Sequence, residues 1–486
     1  MSLDNIESKL NSLSAEALKL EPNALERHSL VVAVDTYAQD FLEKLDDAPA
    51  FVYDHEGENP FIGDQISEEG EDIHSLLEKV GERIDKPGIA AAGGGHLGYI
   101  PGGGVFPGAL GDYLAAVGNK YAGVFFGGPG AVRLENSLIR WMADLIGFPK
   151  EAAGNLTSGG SMANLIGLVT ARDAKGLKAR DYEKACFYLT KQIHHSVTKA
   201  ITISGLGEAN IRYVGMDDKF RMDTEQLKSQ IQIDVKQGLT PFMVIASAGT
   251  TDVGAVDPLD EITKICKDSG AWCHVDAAYG GFFILAPETK ELFKGIENAD
   301  SISIDPHKGL FLPYGLGTVL VRDVKLLNGP HSYQASYMQD SISESYDWSP
   351  ADLSPELTKH FRGLRMWLPL KLFGIKPFRS ALSEKLWLTR YFLEKIKDIP
   401  GVHILLEPQL SVGVYRFLPQ VSTLDANAFN LLLTQKIQAD GTVFISSTMI
   451  GGAVYLRLAV LSFRTHKHTI DRYLNVLKAI LVEIDC

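Results

Sequence analysis

Between residues 150 and 325 the chain alternates short, continuous apolar runs with amphipathic helical stretches, and that alternation restricts its fold more than any other feature. The runs are Cys186–Leu189, Ile211–Val214, Phe242–Ala246, Trp272–Val275, Ser301–Ile304 and Thr318–Val321. Helical spacing fills most intervals, over Met162–Arg172, Val197–Ser204, Thr224–Gln237 and Leu259–Asp268. Strands that are apolar throughout need cover on both faces, so the pattern predicts an α/β fold on a mostly parallel sheet with helices on either side. In such sheets ligands sit in loops beyond the carboxyl ends of the strands, and four of the five loops that carry chemistry here follow such a run.

The flanks differ. Leu10, Leu13, Leu18 and Leu20, then Val31, Val32, Val34, Tyr37 and Phe41, recur at helical spacing over roughly residues 5–48, and 69–84 reads as an acidic amphipathic helix. A glycine-rich stretch over 90–104 precedes helices expected over 106–124 and 131–146. After residue 380 a helix over 380–397, strands at 411–417, 443–447 and 454–460, and helices near 426–438 and 468–484 indicate an α+β domain. The expected division is a helical segment over 1–90 that forms a dimer arm, a large domain over 91–375 and a small one over 376–486.

Charge narrows the partners. Lys and Arg number 47 against 60 Asp and Glu, a net −13, which argues against nucleic acid or an anionic membrane surface. No apolar run reaches the roughly 18 residues of a membrane span, and the polar start Met-Ser-Leu-Asp-Asn carries no signal-peptide pattern. The four cysteines lack metal-ligand spacing, and Cys186 and Cys273 lie in apolar runs as small buried hydrophobes. A cytoplasmic protein without a metal is expected.

Five loops then carry the chemistry. Ser158-Gly159-Gly160-Ser161 opens a helix, where small residues let backbone N–H groups approach a phosphate; a helix start capped by Ser161 explains it equally well. Gln192-Ile193-His194-His195 offers imidazoles, but adjacent histidines on a helix would diverge, and no acid completes a metal triad. Ala248-Gly249-Thr250-Thr251 reads as a turn with an internal hydroxyl bond or as a ligand contact. In His274-Val275-Asp276-Ala277-Ala278-Tyr279 an acid at a strand end precedes two alanines, which leave room for a flat ligand; a buried Asp needs a cationic partner, and a pyridinium nitrogen would serve as well as a core Arg or Lys. Last, Ser301–Ile304 ends in Asp305-Pro306-His307-Lys308, where a lysine beside an imidazole can be desolvated enough to form a Schiff base.

In this order and spacing the loops resemble the group II pyridoxal-phosphate-dependent amino-acid decarboxylases of fold type I, to which aromatic-amino-acid, histidine and glutamate decarboxylases belong. The resemblance runs from about Gly98 onward and is strongest at 274–279 and 305–308. It implies the fold-type-I transferase architecture, with a seven-stranded, mostly parallel sheet, and pyridoxal 5'-phosphate as cofactor. It also implies a homodimer with shared sites that decarboxylates an L-amino acid to its amine. Lys308 resembles the lysine that carries the cofactor, and Asp276 the acid that pairs with its ring nitrogen. His194 resembles the histidine stacked on the ring, with Ala278 on the opposite face; His195 falls where the family usually has Ser. Thr251 matches a turn near the cofactor. Gly160, Ser161 and His307 would hold the phosphate, with Ser303 or Asp305 nearby. Tyr337, in a polar loop over 333–355 that reads as a lid, resembles the tyrosine that protonates the substrate carbon. Tyr99 and Pro101 resemble substrate contacts, and Phe125 one that reaches the neighbouring subunit.

One departure is conspicuous. Gly309 stands where many relatives carry a large aromatic residue, which predicts open space beside the cofactor and keeps a carbon–carbon lyase of the sphingosine-phosphate-lyase type as the alternative reaction. A non-catalytic scaffold of the same fold is a third reading, set against the joint presence of Lys308, Asp276, His194 and Tyr337.

Overall fold

The computed structural model describes residues 2–54, 60–62, 64, 66–332 and 347–485. The chain divides into two compact units, residues 1–90 and 91–486. The first contains α1 (Leu3–Ala17), α2 (Ala24–Lys44), β1 (Phe51–Val52), α3 (Ile73–Val80) and β2 (Gly88–Ile89), with β1 and β2 antiparallel. The helical run expected over 5–48 is interrupted, because Asn23 caps a new helix. Its side chain accepts from the N–H of Leu25 and Glu26, while the Glu26 carboxylate accepts from the N–H of Asn23.

The second unit begins with α4 (Phe106–Gly118) and α5 (Pro129–Ile146). Its large sheet is built from β3 (Ala153–Thr157), β4 (Ala185–Leu189), β5 (Asn210–Tyr213), β6 (Thr240–Ser247), β7 (Trp272–Asp276), β8 (Ser301–Ile304) and β9 (Gly317–Val321). Between the strands run α6 (Gly160–Ala174), α7 (His195–Ile203), α8 (Thr224–Lys236), α9 (Leu259–Ser269) and the short α10 (Pro306–Gly309); α11 (Val324–Asn328) follows the last strand. The C-terminal part adds α12 (Gly363–Phe373), α13 (Ile375–Ile396), β10 (Val402–Ile404), β11 (Val412–Phe417), α14 (Ala426–Asp440), β12 (Ser446–Ile450), β13 (Ala453–Ala459) and α15 (Lys467–Ile484).

The seven strands lie in the order β3-β9-β8-β7-β6-β4-β5. Only β9 runs against its neighbours; the other pairings are parallel. Alternation along β4 explains the cover on both faces. Cys186 and Tyr188 join one apolar layer with Leu227 and Ile231 of α8 and Ile262 and Cys266 of α9. Phe187 and Leu189 join the other, with Ile166 of α6 and Val197 and Ile201 of α7. Cys186 and Cys273 are buried, as their apolar surroundings predict. The chain moves outward from β4 to β5 and returns to β6, so the progression reverses between β4 and β6, and the loops at the carboxyl ends of the strands face a common crevice. A smaller antiparallel sheet, β10-β11-β13-β12, packs against α13, α14 and α15.

Three expectations change. The sequence pattern contains no strand at β3, because Ala-Gly-Asn-Leu-Thr carries one large apolar residue. The strand is held by tertiary contacts: Asn155 donates to the Pro350 carbonyl at 2.9 Å and accepts from Lys359 Nζ at 2.7 Å. The helix expected over 106–124 ends at Gly118, where Asn119 adopts a left-handed conformation and its N–H closes on the Ala115 carbonyl. The strand expected at 443–447 lies at β12, which pairs with β13 through Gly451 and Gly452, both at positive φ, as a two-residue hairpin requires.

Candidate active site

Five loops converge on a cavity of about 330 Å3 at the carboxyl ends of β3, β4, β6, β7 and β8. Of the residues singled out from sequence, Gly160, Ser161, His194, Thr251, Asp276, Ala278, His307 and Lys308 line it. Tyr99, Pro101 and Phe125 are not among its lining residues. Phe125 instead lies beneath the Arg133 guanidinium, 4.9 Å from its ring centre. Tyr99 is 57% exposed, and its carbonyl accepts from the buried Arg457, whose Nε also donates to the Thr251 carbonyl at 2.8 Å. Tyr337 and the rest of 333–346 lie outside the described residues. The loop's later stem is anchored: Asp347 pairs with Arg133 at 2.9 Å, and Ser349 Oγ accepts from the Phe125 N–H.

Pro306 ends β8 and opens α10, whose single turn carries Lys308 back toward the strand end. Lys308 Nζ lies 3.1 Å from the Asp305 carboxylate, which is 1% exposed. His307 donates through Nδ1 to the Leu316 carbonyl at 2.6 Å, leaving Nε2 for a ligand. Burial holds its pKa below the ordinary imidazole value, against the pull of Asp305.

Asp276 ends β7 with three donors aimed at its carboxylate: Asn164 Nδ2 at 3.0 Å, Ser303 Oγ at 3.1 Å and the Ala278 N–H at 3.1 Å. Ser303 is therefore a partner of Asp276; its hydroxyl is fully buried and does not line the cavity. His194 caps α7 rather than lying within it, so the two adjacent rings do not diverge. They tilt together with centres 4.0 Å apart. Burial lowers the His194 pKa, with Asp276 opposing that shift. Among the described residues no group of three His, Cys, Asp or Glu side chains could hold a metal.

At the head of α6 the cap is Gly159, not Ser161, and it contributes no side-chain bond. The N–H groups of Gly160 and Ser161 therefore belong to an uncapped first turn, where main-chain donors and the helix dipole both favour an anion. In the turn after β6, Thr250 makes the internal bond of an ordinary turn, from the Ala255 N–H at 3.0 Å, while Thr251 lines the cavity beside it.

Over residues 56–417 the sequence matches the family model described as the pyridoxal-dependent decarboxylase conserved domain. The chain belongs to that family. It is a pyridoxal-phosphate-dependent carboxy-lyase. An aromatic-L-amino-acid decarboxylase of Bacillus atrophaeus is 33% identical, over 87% of this chain and 88% of its own length. The crystal structure of Catharanthus roseus tryptophan decarboxylase in complex with L-tryptophan superposes with a TM-score of 0.87 at 23% identity, covering 95% of this chain and 99% of that one. Oryza sativa TDC with PLP and tryptamine superposes with a TM-score of 0.89 at 22% identity, over 96% and 99%. Both likenesses bear out the α/β architecture. The decarboxylase relatives do not favour the carbon–carbon lyase.

The cavity fits the family's cofactor on its own chemistry. Asp276 offers a carboxylate to a ring N–H, the open first turn of α6 offers main-chain donors to a phosphate, and Lys308 offers an amine to an aldehyde. Two glycines let the backbone approach closely at this end of the cavity. A Cβ on Gly160 would lie 3.1 Å from that of Ala278, and one on Gly317 would lie 2.5 Å from the Gly159 backbone. Gly317→Ala is therefore expected to push Gly159 out of place and weaken pyridoxal phosphate binding at least about tenfold, the equivalent of roughly 1.4 kcal/mol. Titration of cofactor-free protein measures this; affinity within twofold of wild type would remove the close approach from the explanation.

Gly309 does not open space. A Cβ there would meet the Cβ of Phe282 at 2.6 Å, and Phe282 is fully buried. The volume predicted to be free beside the cofactor is filled from a neighbouring loop. Sequence reasoning assigned no role to Asn164, Ser196, Ser247 or Tyr279, which also line the cavity. The one available signal was Asn164 itself, a poor helix former one turn inside a helix.

Proposed function

We propose that this enzyme removes the α-carboxylate of an aromatic L-amino acid to give the corresponding amine. The observation that carries the reading is that Lys308 and the triply bonded Asp276 line one cavity. The aromatic class rests on the 33% identical relative, named for aromatic L-amino acids. Lys308 would hold the cofactor's aldehyde carbon through Nζ. Asp276 would hold the ring nitrogen and its proton. His194 and Ala278 would cover the two ring faces, and the amides of Gly160 and Ser161, with His307, would hold the phosphate near Thr251. When bound, pyridoxal phosphate supplies an electron-withdrawing ring that accepts the electron pair left by departing carbon dioxide.

Asp305 keeps Lys308 Nζ beside its carboxylate until the lysine is engaged. Tyr337, or His194 from within the cavity, would return a proton to Cα. A homodimer with shared sites is proposed with this reading, in which Phe125, which does not line the single-chain cavity, reaches the neighbouring subunit. A cytoplasmic location is proposed with it; among the described residues no helix is long and apolar enough to cross a membrane.

Amine release from the common L-amino acids and 2,4-diaminobutyrate tests the reading. Tryptophan, tyrosine or phenylalanine should yield amine and carbon dioxide, and Lys308→Ala should abolish both the activity and the cofactor's Schiff-base absorbance. Faster release from a non-aromatic substrate would overturn the aromatic class, and unchanged absorbance in Lys308→Ala would overturn the lysine.

A further inference from the structure

Behind the cavity lies a polar chain that the reaction scheme does not use. Trp272 Nε1 donates to Ser301 Oγ at 2.8 Å. Ser301 Oγ is 2.8 Å from His274 Nδ1, and His274 Nε2 is 2.9 Å from Asn164 Oδ1. Asn164 Nδ2 donates both to Asp276 Oδ2 at 3.0 Å and to Ser196 Oγ at 3.1 Å. Ser196 Oγ is 2.8 Å from His194 Nδ1, and the Ser196 N–H points at the same nitrogen at 3.3 Å.

Only one placement of protons satisfies every link. The carboxylate of Asp276 can only accept, so the Asn164 NH2 faces it and the Asn164 oxygen takes the Nε2–H of His274; neutral His274 Nδ1 then accepts the hydroxyl proton of Ser301, which itself accepts from the Trp272 N–H. The second N–H of Asn164 is left for Ser196. The Ser196 N–H can only donate, so His194 Nδ1 is an acceptor and takes the Ser196 hydroxyl proton as well. In neutral His194 the proton therefore sits on Nε2, the ring nitrogen left for the cavity. Burial at His274, which holds its pKa down to about 4, keeps that link neutral over the ordinary working range.

We propose that Asn164 and His274 are positioning residues, and that the one-way hydrogen-bond chain from Trp272 fixes His194 as its Nε2–H tautomer while the same Asn164 amide fixes Asp276. The inference rests on the decarboxylase reading for its consequence: the group on one face of the cofactor ring presents a donor to the substrate, not a base. The histidine and the acid are then set by a single amide, and neither can be reoriented without the other.

Nitrogen-15 NMR of histidine-labelled protein, with and without cofactor, reads the tautomer directly, with the His194 signals identified by their loss in His194→Gln. The expected result is an acceptor-type Nδ1 and a protonated Nε2 at His194 in the cofactor-free protein. His274→Leu removes the donor to Asn164 and should mix the two His194 tautomers and lower kcat/KM about ten- to a hundredfold, the scale of a small misplacement in a site. His274→Gln can still donate to Asn164 and should restore the single tautomer and kcat/KM to within about threefold of wild type. Ser301→Ala, which breaks the chain one link further from the cavity, supplies the same comparison if His274→Leu does not fold. A protonated Nδ1 at His194, or an unmixed Nε2–H tautomer in His274→Leu and Ser301→Ala alike, overturns the proposal whatever the activity. Because the tautomer is read without cofactor or substrate, a failed decarboxylation assay with the expected spectrum would remove the reaction and leave the chain standing.

Discussion

Asp276→Asn is expected to lower kcat/KM by about a thousandfold, or roughly 4 kcal/mol of transition-state stabilisation. Asp276 Oδ1 accepts from Ser303 and Ala278, and Oδ2 accepts from Asn164. An asparagine has only one acceptor oxygen. Whichever way its amide turns, an NH2 faces a donor, and no negative charge remains to hold a proton on the cofactor ring. The same mismatch leaves a buried donor unsatisfied and should reduce stability by about 1–3 kcal/mol. The two losses are separable: thermal unfolding reports the second, and kcat/KM well below the unfolding range reports the first. A variant within tenfold of wild type would remove Asp276 from the chemistry. Asp276→Glu keeps the charge but moves it by one methylene, so it should retain more activity than the asparagine variant.

Asp276 and Lys308 were legible in the sequence for a physical reason. Asp276 stands immediately after a short strand-length run and Lys308 four residues beyond the end of another, and in a sheet covered on both faces such positions open into a ligand crevice. β4 and β6 were legible for the related reason that their apolar runs are unbroken, and β8 because its Ser-Ile-Ser-Ile alternation suits a short strand. β3 was not, since its identity depends on Lys359 and Pro350, about 200 residues away. The polar chain behind the cavity escaped likewise. Asn164 and His274 are 110 residues apart, and Asn164 and Asp276 are 112 apart, so no local pattern announces them. Gly309 was misread because a glycine in sequence reports the loss of its own side chain and nothing about Phe282, which fills the volume. The β12–β13 hairpin was legible in principle. Ile-Gly-Gly-Ala between apolar runs is a two-residue turn signal, and it sets the register that an apolar count alone put several residues too early.

Acidification should destabilise the fold steeply between about pH 6.5 and pH 4. Burial depresses His96, His274 and His331 each to about 4. Each is a base whose charged form the fold disfavours, so in that window the unfolded chain binds more protons than the folded one, and stability falls as pH falls. A depression of this size is worth on the order of 3 kcal/mol per histidine, present in full above about pH 6.5 and lost on reaching pH 4. Near pH 5, urea unfolding should therefore take up close to three protons through these side chains, offset by about one released from the buried Asp257, whose carboxyl is pushed up to about 6; the net uptake of about two is measurable as a pH change in weakly buffered solution. His96 offers the cleanest test. Its two ring nitrogens have no hydrogen-bond partner among the described residues, and its ring packs edge-on against Tyr99 and Phe444. A phenylalanine there keeps the packing and removes two buried polar atoms, which is neutral or stabilising at pH 7. His96→Phe should then reduce the uptake at pH 5 by about one proton and shift acid unfolding to lower pH. An unchanged proton uptake in that variant would mean that His96 titrates normally in the fold, and that its burial carries no cost.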